Sequence, residues 1–180
     1  MKRNQGPAGL RWTEHPLIDT GVAALTAFAQ HDEPAEVTFD DLREFADFAD
    51  RAQAVKSVTS YLSVLFTVNV GFLNPSFSPA KKREEARSIL WAFDSPTDAN
   101  LPSCVYCGNP AVRLIHRDLA PMLTGRGVVN FFPSGQHGEF VCGLCMTAIQ
   151  ALFVSSPAHR PQSRMTLEMN VQGLAAEDNR

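Results

Sequence analysis

The chain has 180 residues, 44% of them hydrophobic and 19% charged, with 12 Phe; this excludes disorder and is enough for one domain, or one domain with a small attached module. No apolar run reaches the length of a membrane span, and the opening "MKRNQGPAGLRWTEHP" lacks the apolar core of a secretory signal, so the chain reads as cytoplasmic with no membrane partner. The net charge of −3 excludes a uniformly basic nucleic-acid binder, but residues 1–50 carry 4 basic and 10 acidic side chains and residues 51–180 carry 12 and 9, which suits a protein-facing and a phosphate-facing side, or a plain solvated acidic face.

The first predicted element is an amphipathic helix over 16–29. Leu17, Ile18, Gly21, Val22, Leu25, Phe28 and Ala29 fall on one stripe of a 3.6-residue period. Pro16 suits its first turn, and Trp12 is read as a core anchor beneath it. A second helix begins after Thr38, with Asp41 three positions on as its capping partner and Val37 and Leu42 as a hydrophobic staple. Its buried stripe is Leu42, Phe45, Ala46, Ala49 and Ala52. Residues 55–70 read as a helix to about Leu65 followed by an extended segment. Gly71, Asn74-Pro75 and Pro79 break the chain into turns. Ser78-Pro79 then opens a third helix with Ala86, Ile89, Leu90 and Phe93 inward. A polar linker, 94–103, follows. Short strands or turns are predicted in "AVRLIHRDL" and "GVVNFFPSG", a helix in "MTAIQALFV", and a last short strand in "MTLEMNV" before a frayed end.

All the cysteines lie in two Cys-x-x-Cys pairs, Cys104/Cys107 and Cys142/Cys145, with 34 residues between the pairs. A thiolate pair two residues apart chelates one face of a tetrahedral ion, and a second pair closes the shell. Gly108 permits the tight backbone of a knuckle. The second pair runs into the predicted helix, whose N-terminus favours thiolate charge. The layout is that of a treble-clef-like site holding one structural Zn²⁺. The rival is a redox dithiol, which leaves one pair unexplained. His116 and His137 are read as ordinary surface or core residues rather than ligands. A closed shell leaves no position for an activated water, so no catalytic residue is assigned and the chain is read as a non-enzyme. The fold class that follows is α+β: a mainly helical region over 1–100, a four-cysteine zinc module over 101–155, and a tail over 156–180.

Two features resemble a known family. "WTEHPLIDTGVAALTAF" at 12–28 and the downstream "CVYCG" and "CGLC" resemble the CXXC–CXXC family of CRISPR-associated proteins, the large subunits of type I (I-A/I-B) Cascade complexes. That family opens on Trp-Thr-Gly-His-Pro, continues through an Asn-Pro segment and carries two Cys pairs in this order. This chain has Glu14 in place of the glycine. The resemblance covers about residues 11–155, the N-terminal part of a longer family member. It implies a nucleic-acid-binding subunit that contributes to recognition of the protospacer-adjacent motif in target duplex DNA. It also implies partnership with CRISPR guide RNA and the other Cascade subunits.

Candidate contacts for that role are Asn74 and Ser76 in the turn, Lys81, Lys82 and Arg83 at the start of the third helix, and Asn130 and Gln136 between the Cys pairs. Asn and Gln can bond base edges, Ser and the cations can bond phosphate, and Phe77, Phe131 or Phe132 can stack. The same residues have plain structural readings: turn-making for Asn74, core packing for the phenylalanines, and pairing with Glu84 and Glu85 for the basic run. Two other functions compete, a zinc-stapled protein-interaction module and a small treble-clef nuclease. The nuclease would need a metal-binding Asn or His on the last helix, where only Gln150 is polar enough.

Overall fold

The computed structural model describes residues 7–53, 72–97, 100–117, 119–120 and 138–155. Its elements are α1 (Pro16–Phe28), a 3-10 turn (Pro34–Glu36), α2 (Phe39–Gln53), α3 (Pro79–Leu90), a second 3-10 turn (Ala92–Asp94), β1 (Arg113–Ile115), β2 (Glu139–Val141) and α4 (Gly143–Ser155). The class is mixed, helices with one small antiparallel sheet, as the sequence predicts. The predicted helix over 55–65, the segment with Asn130, Phe131, Phe132 and Gln136, His137, and the last strand lie outside the described residues. Among the described residues no helix is long and apolar enough to cross a membrane.

Each of the first three helices has a local cause. In α1, Pro16 takes the first position, where its missing N–H is no loss. The helix ends in a Schellman pair: the Gln30 N–H donates to the Ala27 carbonyl and the His31 N–H to the Thr26 carbonyl, both at 3.1 Å. Gln30 itself takes φ 57°. In α2 the capping box is complete. Thr38 donates its N–H and hydroxyl to Asp41 Oδ2, each at 2.7 Å, and the Asp41 N–H donates to Thr38 Oγ1 at 3.2 Å. Val37 and Leu42 are both fully buried beside it. In α3 the hydroxyl of Ser78 accepts from the Lys81 N–H, and Pro79 occupies the first turn.

The helices share one continuous core. Ile18, Val22 and Leu25 of α1, Leu42, Phe45 and Ala49 of α2, Ile89 and Leu90 of α3, and Met146 and Ile149 of α4 are all buried in it. Phe28 meets Phe45 edge-on with ring centroids 5.4 Å apart, a favoured aromatic geometry. Cys104, Cys142 and Cys145 belong to the same core. α1 crosses closely on α4. A Cβ on Gly21 would lie 1.9 Å from the Ala148 carbonyl oxygen, so only glycine fits there.

Three expectations are corrected by this packing. Trp12 is not a core anchor; it is 50% exposed, because its neighbours Arg11 and Thr13 tie the backbone down and leave the ring outside. Leu17 is 39% exposed, since the inward stripe of α1 starts one residue later at Ile18. Phe93 is buried as predicted, but from the 3-10 turn after α3 rather than from the helix. Of the predicted strands between the Cys pairs, β1 forms within "AVRLIHRDL", and its partner β2 lies in "EFV", for which the sequence predicts no strand. The register pairs Arg113 with Val141, Leu114 with Phe140 and Ile115 with Glu139.

Candidate metal centre

The first Cys pair sits in a knuckle that the backbone closes on itself. The Gly108 N–H donates to the Cys104 carbonyl at 2.9 Å, and the Cys104 N–H donates to the Asn109 carbonyl at 2.7 Å. Gly108 takes φ +73°, a left-handed conformation that a side chain would strain. The Val105 N–H reaches the Phe140 carbonyl at 3.0 Å and so fixes the knuckle to β2. The second pair lies where β2 turns into α4. Cys142 is the residue before the helix and Cys145 lies in its first turn, so the helix starts earlier than the predicted 146. The Cys145 N–H points at Cys142 Sγ, 3.4 Å away.

Together these elements bring the four sulfurs within 4.8 Å of one another. All four cysteines are free. The Cys107 and Cys142 sulfurs are 3.4 Å apart. Four thiolates about 2.3 Å from one tetrahedral ion stand about 3.8 Å apart, so the cluster fits a metal ion. His116 is not part of it.

The electrostatics of the cluster also call for a cation. Hydrogen bonds from Cys107, Cys142 and Cys145 hold the Cys104 thiol far below its ordinary value. Cys104 raises the Cys107 thiol while Cys142 and Cys145 lower it, and the balance brings it down to about 7. Cys142 and Cys145 are pushed up, in each case first by Cys104 and then by Cys107. Negative charge on the first sulfur thus opposes ionisation of the last two. Four thiolates coexist here when a metal ion offsets their repulsion.

Arg11, Asp19, Tyr106 and Glu139, to which the sequence assigns no role, surround the site together with the opening motif. Arg11, 96 residues upstream, donates from Nη2 to the Cys107 carbonyl, and also to Asn109 Oδ1 at 3.3 Å. His15 lies edge-on to Tyr106, ring centroids 5.0 Å apart. Thr13 donates its N–H and hydroxyl to Asp19 Oδ1, at 2.7 and 2.8 Å, and Glu14 takes φ 65°. Glu139 of β2 is 4% exposed; its Oε1 has no hydrogen-bond partner among the described residues, and burial raises its carboxyl pKa. Burial, and then the Glu139 charge, pushes the Tyr106 hydroxyl up as well. A Cβ on Gly143 would lie 2.0 Å from the Ala92 carbonyl oxygen. The glycine inside "CGLC" therefore lets α4 meet the turn after α3.

The residues named for nucleic acid sit elsewhere. Asn74 makes a turn: its Oδ1 accepts from the Ser76 N–H at 2.9 Å, and its carbonyl accepts from the Phe77 N–H at 3.1 Å. Lys81 pairs with Glu84 and Glu85 at 3.4 and 3.1 Å. Arg83 reaches the buried Asp50 at 3.5 Å, beside Arg87 at 3.2 Å. Lys82 is half-buried on the same helix. Asn130 and Gln136 lie outside the described residues. No family model, curated protein or solved structure matches the chain.

Proposed function

We propose that this chain is a zinc-stapled, non-catalytic nucleic-acid-binding subunit of the type I Cascade class, acting with guide RNA and partner subunits at the flanking motif of target duplex DNA. One observation carries the reading. The two motifs behind the resemblance, some ninety residues apart, form one unit: Arg11 bonds the Cys107 carbonyl and His15 packs on Tyr106. The position where the family has glycine is held here by Glu14 at φ 65°, a conformation that favours glycine. A glycine at this position would take that conformation without strain, which is consistent with the resemblance. Zn²⁺ is the ion of choice, because it favours four sulfur ligands in a tetrahedron and four thiolates leave no open position for hydrolytic chemistry.

The basic run supports a modest phosphate contact. Lys81 is exposed, and exposed ion pairs are weak, so phosphate can displace Glu84 and Glu85. With a net charge of −3, independent duplex binding is weak and binding within a complex is stronger. A second reading, a protein-interaction module, has its own support: Trp12, Leu17 and Val105 are exposed apolar side chains on the segments around the knuckle.

The deciding experiment is target binding by an assembled complex over a library of flanking sequences, with and without this chain. The proposal predicts a flank preference that disappears when the chain is omitted. Replacing Lys81, Lys82 and Arg83 together should weaken binding evenly and flatten its salt dependence. An unchanged preference, together with failure to co-purify with guide RNA, leaves the interaction module. Divalent-metal-dependent DNA cleavage lost in His116→Ala would restore the nuclease reading.

A further inference from the structure

The four sulfurs are not equally protected. Cys104, Cys142 and Cys145 are each 4% exposed or less, whereas Cys107 is half-buried. Cys107 lies at a cleft lined also by Leu10, Arg11, Asn109, Leu144 and Cys145, with an internal volume of about 10 Å³, room for one water-sized molecule. Arg11 is exposed at this cleft and fixed to the Cys107 carbonyl. This same sulfur faces one across the two knuckles, 3.4 Å from Cys142 Sγ.

We propose that Cys107 is an oxidation site, through which peroxide opens the four-cysteine centre, joins Cys107 to Cys142 in a disulfide and releases the metal. The inference rests on the reading of the cluster as a metal centre. The chemistry balances with hydrogen peroxide as the oxidant. The Cys107 thiolate attacks one peroxide oxygen, the O–O bond breaks, and hydroxide leaves and takes a proton to become water. The sulfur has lost two electrons and is a sulfenic acid. The Cys142 thiolate then attacks that sulfur, the S–O bond breaks, and a second hydroxide is protonated to water. Two thiolates, one peroxide and two protons give one disulfide and two waters. The ion keeps two of its four ligands and is lost, and Cys104 and Cys145 take up protons.

Arg11 gives the route its direction. The Arg11 guanidinium lines the same cleft as Cys107 and favours the departing hydroxide; Cys104 and Cys142 do not line it, and Cys145, which does, is only 3% exposed. A disulfide within either pair would leave the two knuckles unlinked. The Cys107–Cys142 bond instead ties the first knuckle to the start of α4, so the oxidised chain stays closed and can be reloaded after reduction.

The test uses the full-length, metal-loaded chain. Metal content is measured first; hydrogen peroxide is then added, release is followed with a chromogenic chelator, and disulfides are mapped by peptide mass spectrometry after thiol blocking. The expected result is about one ion released per chain, a Cys107–Cys142 linkage, and recovery of metal binding after thiol reduction. Arg11→Ala, compared per bound ion after its metal content is measured, should release metal about tenfold more slowly, the loss of one charge-assisted contact to the leaving group, with Arg11→Lys intermediate. A loaded chain that keeps its metal under peroxide, or yields a linkage other than Cys107–Cys142, overturns the inference alone. Wild-type release rates in Arg11→Ala overturn the cleft as the route. A chain that holds no metal before peroxide is added overturns the metal centre and the inference with it.

Discussion

Phe45 and Cys142 are both buried, yet they hold their surroundings in different ways. Phe45 sits among Leu25, Phe28, Leu42 and Phe48 in a core where many apolar contacts each contribute a little. The α2–α3 side of the molecule is built in this manner, with caps at its helix starts and Asp50 clamped by Arg83 and Arg87. Among the described residues, the knuckle side has strands of three residues each and the tight turn from Cys104 to Asn109, short elements that lean on the cysteine cluster. There a single cluster of four sulfurs supplies what many small contacts supply elsewhere. Stability is distributed in one region and concentrated in the other, and single changes should separate the two.

The largest effect is expected from Cys142→Ala, or from a strong chelator. Binding energy of a structural metal is folding energy, so the loss should reach at least ~5 kcal/mol and melt the knuckle and the β1–β2 pair. Amide exchange would show protection lost there and retained longest in α2; uniform loss would break the contrast. Phe45→Ala comes next, at ~3–5 kcal/mol, lowering the thermal midpoint while the metal content stays at one ion per chain. Metal loss in that variant would mean that the two regions fail together.

Smaller effects sharpen the same division. Thr38→Ala removes the N-cap of α2 and should cost about 1 kcal/mol in chemical denaturation. Burial pushes Asp41 up, but its bonds to Thr38 and the nearby His31 outweigh this and hold it below the ordinary carboxylate range. Its contribution is therefore present above the pKa of an unfolded Asp and is lost as pH falls through the folded one. The gap between Thr38→Ala and the parent should narrow in acid, with no change in metal affinity. An effect of similar size and opposite sign is expected from Glu14→Gly. It relieves a left-handed backbone beside the knuckle and should stabilise the chain by about 1 kcal/mol. A destabilised variant would show that the Glu14 side chain makes a contact worth more than the strain.

What is legible in the sequence follows the same line. α2 and α3 are readable because their rules are local: a cap at Thr38 or Ser78, a first-turn Asp or Pro, and a 3.6-residue stripe. The four metal-site cysteines are readable because their spacing is itself the chemistry. The start of α4 is not, since Met146, Thr147, Ala148, Ile149, Gln150 and Ala151 are all buried and a helix covered on every side shows no stripe. β2 escapes because three residues are too few for alternation. Trp12 misleads because hydrophobicity alone puts it inside; the bonds that leave it outside join Arg11 to Cys107 across 96 positions. Asp50 with Arg83 and Arg87, like Gly21 against Ala148, depends on long-range packing that no local pattern encodes.

The two glycine contacts of α4 bear on the rate at which metal is exchanged. Gly143 meets Ala92 and Ala148 meets Gly21 backbone to backbone, five residues or roughly 7.5 Å apart along the helix. Gripped at two levels, α4 neither slides nor rolls without breaking both contacts. Cys142 and Cys145 are thereby a fixed half-shell, and ligand exchange has to start with movement of the Cys104–Cys107 knuckle. Incoming chelators would then meet the centre from one side only, and the off-rate of the ion would follow the opening of a single loop rather than the unfolding of the chain.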